Sequence, residues 1–253
     1  MLKKRIIPCL LLRNESLVKT VKFKKYKYVG DPANTCRIFN ELEVDELAIL
    51  DILASKDNKE PNYEILKEIA NECFMPLSYG GGIRTITSAE DIFSIGFEKI
   101  ILNSYTFEKP DIINQLSKNY GSQSIIIAID VRKNIFQKYF VYSLSGKEKK
   151  NIKPIDWAKE VEDRGAGEIL LTSIDNEGTW SGIDLNLTKI IADAVQIPVI
   201  AHGGAGTLKH IEDAIKIARA SAVALGSMVV FQKKGMGVLV NFPDEKDLRG
   251  IIE

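Results

Sequence analysis

The order of apolar and polar positions along the chain predicts eight short strands, each followed by a helix. Runs rich in isoleucine, valine and leucine alternate with segments whose apolar residues recur every three to four positions. The predicted strands are residues 5–12, 46–52, 77–79, 99–102, 124–131, 168–172, 199–201 and 222–225. The predicted helices are residues 33–42, 63–73, 88–95, 111–119, 154–164, 185–194, 208–218 and a less regular one at the C-terminus. Apolar strands that alternate with helices are typical of a parallel sheet covered by helices.

The two halves of the chain repeat each other. A glycine turn at Gly80–Gly82 precedes Ser104, and a second at Gly203–Gly204 precedes Ser227, at a common offset of about 120 residues. The first and fifth strands match at nearly the same offset. Eight units with this duplication predict one α/β domain, a (β/α)8 TIM barrel with half-barrels at about 1–120 and 121–253. A doubly wound sheet would explain neither the duplication nor the eight units.

The glycine turns predict binding of anions, because unpaired backbone N–H groups at a helix start attract phosphate. Two basic stretches are expected as long loops on the same face of the barrel. Residues 13–29 contain six basic residues and one acid, and residues 131–153 contain seven and one. Either these are solvated lysine-rich loops, or the face binds an elongated substrate with a phosphate at both ends. In the second stretch, Tyr139–Tyr142 has the pattern of a strand in a hairpin. That hairpin is either a lid over this face or a simple decoration of the barrel.

Composition excludes several classes of protein. The chain has 253 residues, 45% hydrophobic content and a formal net charge of zero, which argues against a generally basic nucleic-acid binder. Cys9, Cys36 and Cys73 are too few for a disulfide scaffold, and no apolar run has the length of a membrane span, so we expect a cytoplasmic protein. His202 and His210 lack the neighbours of a metal site, and no phosphate-binding P-loop is present. We predict no metal and no cofactor.

Eight motifs carry a family resemblance. They are Lys4-Arg-Ile-Ile-Pro-Cys-Leu, Gly30-Asp-Pro, Asp45-Glu-Leu, Leu50-Asp-Ile, Gly80-Gly-Gly-Ile, Ala128-Ile-Asp, the long stretch Arg164–Asp175, and Gly203-Gly-Ala-Gly. With them the chain resembles the HisF family, the cyclase subunits of imidazole glycerol phosphate synthase, up to about residue 231. The resemblance implies a barrel that receives ammonia from a HisH-type glutaminase docked at its amino-terminal face. The ammonia would pass through the barrel to a phosphorylated small molecule at the other end.

The resemblance also implies roles for individual residues. The ammonia entrance would be a ring of two bases and two acids, Arg5, Glu46, Lys99 and Glu168, although charges also commonly begin strands at a solvated rim. One phosphate would bind to Gly82, Asn103 and Ser104, and the other to Gly178, Gly203, Gly204, Gly226 and Ser227. Lys19 matches the lysine of the family's mobile loop. Asp130 matches one of two catalytic aspartates, although an aspartate at a strand end also commonly caps a turn.

One departure from the family concerns catalysis directly. Leu11 stands where the family has its other catalytic aspartate, and leucine can neither take nor give a proton. Tyr79 and His202 precede the glycine turns where smaller residues are usual, and Glu177 replaces an aspartate. We expect Tyr79 and His202 to reshape a pocket that also contains Leu11, Asp51 and Thr172. An alternative for His202 is titration near neutral pH.

These observations leave three hypotheses of function. The first is a repurposed HisF-like subunit that delivers ammonia to a phosphorylated or nucleotide-linked sugar. It resembles a bacterial surface-polysaccharide group in which HisF-like and HisH-like proteins act with a sugar amidotransferase to make acetamidino sugars. The second is the ordinary cyclase of histidine biosynthesis, with Leu11 tolerated. The third is a non-catalytic scaffold that activates the glutaminase.

Overall fold

The structure is a computed structural model that describes residues 4–252. Its strands are β1 (Arg5–Arg13), β2 (Ser16–Val21), β3 (Lys24–Gly30), β4 (Leu47–Asp51), β5 (Leu77–Gly80), β6 (Lys99–Leu102), β7 (Ile125–Lys133), β8 (Tyr139–Ser143), β9 (Glu148–Lys149), β10 (Glu168–Ser173), β11 (Val199–His202) and β12 (Ala222–Leu225). Its helices are α1 (Pro32–Glu41), α2 (Tyr63–Asn71), α3 (Ile86–Ile95), α4 (Asp111–Tyr120), α5 (Pro154–Asp163), α6 (Leu185–Ala192), α7 (Leu208–Lys216), α8 (Ser227–Val230) and α9 (Glu245–Ile252).

Eight of these strands close into a barrel. In the order β1, β4, β5, β6, β7, β10, β11 and β12, each strand pairs in parallel with the next, and β12 pairs with β1. The predicted TIM barrel is therefore confirmed. β1 begins at residue 5 and β7 at residue 125, and β6 begins at residue 99 and β12 at residue 222, which matches the spacing of the sequence repeat. The division into half-barrels near residue 120 stays a prediction, and residues 1–3 and 253 of the predicted domain lie outside the described residues.

Antiparallel hairpins extend the carboxyl ends of β1 and β7. β2 pairs with β1 and β3 pairs with β2, so the prediction of a loop over residues 13–29 is wrong. In β2 the four consecutive residues 17–20 are all buried, and β3 is mostly exposed. Neither strand therefore shows the alternation of apolar and polar residues by which a strand is recognised in a sequence. The strand predicted at Tyr139–Tyr142 is confirmed as β8, which pairs with β7.

Side chains of the barrel strands alternate between two apolar layers. The inner layer fills the barrel, and the outer layer lies between strands and helices. Tyr79 belongs to the outer layer, where its ring meets that of Phe97 edge to face at a centroid distance of 5.9 Å. The prediction that Tyr79 reshapes the pocket is therefore wrong, because its neighbour Gly80 occupies the inward position.

Candidate functional site

At the amino-terminal end of the barrel, four charged side chains form a closed ring of ion pairs, the entrance ring. Arg5 Nη1 lies 2.6 Å from Glu46 Oε2, and the second guanidinium nitrogen of Arg5 binds Glu168. Lys99 Nζ completes the ring at 3.2 Å from Glu46 and 2.8 Å from Glu168. Each acid contacts both bases, and both carboxylates are buried. The structure thus brings together the four residues predicted for the entrance and pairs each charge, as burial requires.

The barrel interior above the entrance ring is apolar. Its inner layer consists of Ile7, Cys9, Ala48, Leu50, Ile101, Ile126, Ala128, Leu170, Ile200, Ala222 and Ala224. Four of its five small members, Cys9, Ala48, Ala222 and Ala224, come from the adjacent strands β12, β1 and β4, and the fifth, Ala128, comes from β7. An apolar interior of this kind opposes the entry of an ion, which would lose its hydration without compensation.

The carboxyl ends of the barrel strands surround a cavity, hereafter the main cavity. Its wall contains most of the residues predicted for the reaction centre and the first phosphate, namely Leu11, Asp51, Gly82, Asn103, Ser104, Asp130, Thr172 and His202. Its lining also includes Ile101, Ala128 and Leu170, which belong to the inner apolar layer. The main cavity therefore borders directly on the barrel interior.

Asp130 lies at the end of β7 and faces the main cavity. Asn103 Nδ2 donates a hydrogen bond to its carboxylate at 2.8 Å. Burial raises the pKa of Asp130 from 3.8 to about 7, against the opposing effect of hydrogen bonds from Thr172 and Asn103. A carboxyl group with this pKa exchanges protons readily near neutral pH, as a general acid or base must.

His202 shares Thr172 with Asp130. Its Nδ1 lies 3.1 Å from Thr172 Oγ1, within hydrogen-bonding distance, and Thr172 also interacts with the Asp130 carboxylate. Burial, with the charge of Lys19, lowers the pKa of His202 to about 4. The alternative that His202 titrates near neutrality is therefore wrong. Its ring lines the main cavity, and the reshaping of the pocket by His202 stays a prediction.

Leu11 and Asp51 play different parts in the cavity wall. Leu11 is buried at the end of β1, next to Leu50 in the parallel register, and leaves this side of the cavity apolar. The Asp51 carboxylate accepts hydrogen bonds from the backbone of Leu53 at 2.9 Å and Ala54 at 3.0 Å. Asp51 thus holds the turn after β4.

The residues predicted for the second phosphate line a separate, smaller cavity, hereafter the second cavity. They are Gly178, Gly203, Gly204, Gly226 and Ser227, and Lys19, Glu177 and His202 join them. Gly204 has φ of +106°, and a Cβ there would lie 2.2 Å from the carbonyl oxygen of Gly182. Only glycine fits this position, because the Gly182 backbone packs directly against it.

Lys19 lies at the second cavity, buried on β2, and its ammonium group binds Glu177. Glu177 also accepts hydrogen bonds from Thr20 Oγ1 at 3.0 Å and from the backbone N–H of Phe23 at 3.1 Å. The carboxylate therefore fastens the β2–β3 hairpin to the loop after β10. Sequence reasoning noted Glu177 only as a replacement and did not anticipate this pairing.

The two hairpins meet above the main cavity. Phe23 and Tyr26 from the first hairpin and Ser145 from the second line it. The backbone N–H of Leu144 donates to Ser104 Oγ at 3.0 Å, and Ser145 Oγ donates to the carbonyl of Ile52 at 2.9 Å. The second hairpin is thus bound across the cavity, the position of a lid. In the sequence, only the aromatic residues of the two basic stretches could have indicated that these stretches contact the cavity.

The structure has no arrangement that suggests a metal site within residues 4–252, where no three His, Cys, Asp or Glu side chains cluster suitably. His210 is separate from His202 and accepts a hydrogen bond from the backbone of Gly206 at 3.2 Å. Over the same described residues, every helix is too short or too polar to span a membrane.

Comparison with known proteins shows similarity along nearly the whole chain. A family model described as "Histidine biosynthesis protein" matches residues 5–234. A Pseudomonas aeruginosa protein, provisionally named imidazole glycerol phosphate synthase subunit hisF2, is 48% identical over 248 residues, 98% of this chain and 99% of that protein. A Vibrio vulnificus protein, provisionally named subunit hisF3, is 44% identical over 254 residues, 100% of this chain and 98% of that protein. The imidazole glycerol phosphate synthase subunit HisF of Alkaliphilus metalliredigens is 40% identical over 248 residues, 98% of each chain.

Proposed function

The chain belongs to the histidine biosynthesis protein family, together with HisF subunits of imidazole glycerol phosphate synthase, and we propose that it is a HisF-type synthase subunit of a glutamine amidotransferase. It takes ammonia from a HisH-type glutaminase and delivers it to a phosphorylated substrate. The substrate class we favour is an acetamido sugar of surface polysaccharide synthesis, converted to the acetamidino form. The protein with which it would then act is a sugar amidotransferase.

The observation that carries the proposal is the alignment of three features along the barrel. A closed entrance ring lies at the amino-terminal end, an apolar interior follows, and the main cavity with Asp130 borders that interior. Ammonia crosses such an interior as the neutral molecule, because the ammonium ion would lose its hydration without compensation. When the nitrogen attacks an electrophilic carbon it becomes positively charged and must lose a proton. Asp130, with a pKa of about 7, is suited to accept it.

The amino-terminal face offers a surface for the glutaminase. Phe74 lies in the loop before β5 and is 91% exposed, and Leu42 in the loop before β4 and Ile217 after α7 are also exposed. Apolar side chains exposed together on one face favour protein–protein contact. This face also carries the entrance ring, so a glutaminase docked here would release ammonia next to Arg5 and Lys99.

The opposite face offers sites for phosphate. Gly82, Asn103 and Ser104 line the main cavity, and the glycines and Ser227 line the second cavity. Lys19 supplies a positive charge to the second cavity from the β2–β3 hairpin. In the proposed complex, an incoming phosphate competes with Glu177 for this ammonium group.

Leu11 argues for a changed reaction. Loss of one of two cooperating acid/base groups commonly lowers a rate by about 10²–10⁴-fold, and Leu11 leaves Asp130 without a second acid/base group at the end of β1. Ordinary cyclase turnover should therefore be weak. A path for ammonia together with an altered cavity supports the sugar-amidation proposal.

The test compares two nitrogen sources in a complex reconstituted with the glutaminase and the sugar amidotransferase. Isotope-labelled nitrogen from glutamine or from ammonium is followed by mass spectrometry into acetamido sugars and their nucleotide-linked forms. Lys99→Ala opens the entrance ring and should lower incorporation from glutamine more than from ammonium. Lys159→Ala, at an exposed position of α5, is the matched control. Equal losses from both nitrogen sources in Lys99→Ala would contradict an ammonia path through the ring.

Histidine biosynthesis is the second candidate, and the retained pair of phosphate-type cavities favours it. We test it with the cyclase substrate, a phosphoribulosyl formimino carboxamide ribonucleotide, at saturating ammonium. Turnover by the natural chain would assign it to histidine synthesis. Turnover by Leu11→Asp alone would show that the cavity still accepts this substrate. If Asp130→Asn leaves every activity of the complex unchanged, the chain is a scaffold for the glutaminase.

A further inference from the structure

Two of the three cysteines lie together on the outer side of the barrel, away from both cavities. Cys36 is on α1 and is fully buried. Cys73 follows α2, is partly exposed, and packs against the same apolar cluster that contains Cys36. The pair is 37 positions apart in sequence and is brought together because α1 packs beside α2.

A backbone contact fixes this approach. Asn40 Oδ1 on α1 accepts a hydrogen bond from the N–H of Phe74 at 2.8 Å. Cys36 and Asn40 are four positions apart on one helix and so share a face. The segment that contains Cys73 and Phe74 is therefore held against the face of α1 from which Cys36 projects. The two thiols are close enough that each shifts the pKa of the other.

The thiol contact distinguishes the two sulfurs chemically. The hydrogen bond from Cys36 lowers the pKa of Cys73, and the same bond, with burial, raises the pKa of Cys36. The partly exposed Cys73 thus has more thiolate character than its partner, and the thiolate is the form that reacts with oxidants. The third cysteine, Cys9, lies inside the barrel, where burial raises its pKa to about 12.

We propose that Cys36 and Cys73 form a reversible intramolecular disulfide when a hydroperoxide oxidises Cys73. The Cys73 thiolate attacks the peroxide, a sulfur–oxygen bond forms, the oxygen–oxygen bond breaks, and the alkoxide or hydroxide leaves and takes up a proton. The Cys36 thiol then loses its proton, its sulfur attacks the sulfenic sulfur of Cys73, and the hydroxyl group leaves as water. Two thiols are oxidised by two electrons as one peroxide is reduced to an alcohol and water. The bond would fix Cys73, and with it Phe74, against α1.

The test treats the purified full-length chain with hydrogen peroxide, then counts free thiols after denaturation and maps tryptic peptides by mass spectrometry. The expected result is loss of two of the three thiols, a link between peptides 28–37 and 68–84, and recovery of both thiols with dithiothreitol. Cys36→Ala should give a sulfenic or further oxidised Cys73 with no link, and Cys9→Ala should behave like the natural chain. The linked chain should also unfold at a higher temperature, because the disulfide restricts the unfolded state.

Three results would overturn the proposal. They are persistence of all three thiols at peroxide concentrations that oxidise a control peptide thiol, sulfinic acid at Cys73 in the natural chain without a link, and linkage between two chains through Cys73. None of these outcomes depends on the glutaminase or on the substrate. Failure of this proposal is therefore distinguishable from failure of the proposed function.

Discussion

Replacement of Asp130 by asparagine should change how the stability of the protein depends on pH. The substitution removes one ionisable group and keeps an oxygen that can accept the hydrogen bond from Asn103. In the folded chain the carboxyl group has a pKa of about 7, against 3.8 for an ordinary aspartate. Between these two values the folded state holds a proton that the unfolded state has released. Asp130 therefore stabilises the fold fully below pH 3.8, and this contribution is lost as the pH rises through about 7.

The magnitude follows from the two pKa values. A tenfold change in the acid dissociation constant corresponds to about 1.4 kcal/mol, so the pKa shift of Asp130 changes the free energy of unfolding by about 4 kcal/mol at most. Contact of the carboxyl group with solvent in the cavity reduces this contribution to roughly 2–4 kcal/mol. Asp130→Asn has no such loss. We expect the free energy of unfolding of the variant, relative to the natural chain, to rise by this amount between pH 4 and pH 8.

The assay is urea unfolding at a series of pH values, for the natural chain, Asp130→Asn, and a control that loses an exposed carboxyl group, Asp91→Asn on α3. The difference between Asp130→Asn and the natural chain should grow with pH, whereas Asp91→Asn should give an almost parallel curve. If Asp130→Asn also runs parallel to the natural chain across pH 7, the carboxyl group is not buried in the way that the structure shows. Asp130 would then also be unsuited to accept a proton near neutral pH.

Further predictions concern the second cavity, the outer core and the first hairpin. Gly204→Ala should lower the free energy of unfolding by about 2–4 kcal/mol, because φ is +106° and an added Cβ would lie 2.2 Å from the Gly182 carbonyl oxygen. The control Gly237→Ala should change the free energy of unfolding little, because an added Cβ there has nothing within 4 Å. Tyr79→Phe removes a buried hydroxyl that has no partner among the described residues, so urea unfolding should show equal or greater stability, by up to about 1 kcal/mol. Glu177→Gln weakens the attachment of the β2–β3 hairpin, and limited trypsin digestion should cut residues 22–27 faster than in the natural chain.

The barrel could be predicted because it depends on a strong sequence pattern, whereas the entrance ring was expected from the family resemblance. Buried parallel strands have nearly continuous apolar runs, and the helices between them have a distinct period, so eight units can be counted directly. Arg5 and Lys99 begin their strands, and a barrel brings all strand starts to one end. The position of the ring follows from this topology, while its alternating pairing required the structure.

The errors have a common physical cause, which is that a side chain's direction is set by pairing that the sequence does not reveal. Tyr79 and His202 both precede glycines, yet only His202 points into the cavity, because the first glycine turn begins one residue earlier and Gly80 takes the inward place. In the same way, the lysine-rich segment became a hairpin through its pairing with β1. Lys19 then turned inward to Glu177, a contact 158 positions away in sequence.

The main cavity also limits the chemistry of the proposed reaction. Ammonia that attacks a carbon must lose one proton, and Asp130 can accept it, but the same carboxylate cannot at that moment donate a proton to a leaving group. Asp51 is engaged with backbone N–H groups, His202 is neutral, and Leu11 offers no proton. On the proposed function, the leaving group therefore departs without protonation by Asp51, His202 or Leu11, as phosphate does, or receives its proton from a partner protein. The substrate should then reach the cavity already activated at the carbon that takes the nitrogen, and the activating step belongs to the sugar amidotransferase.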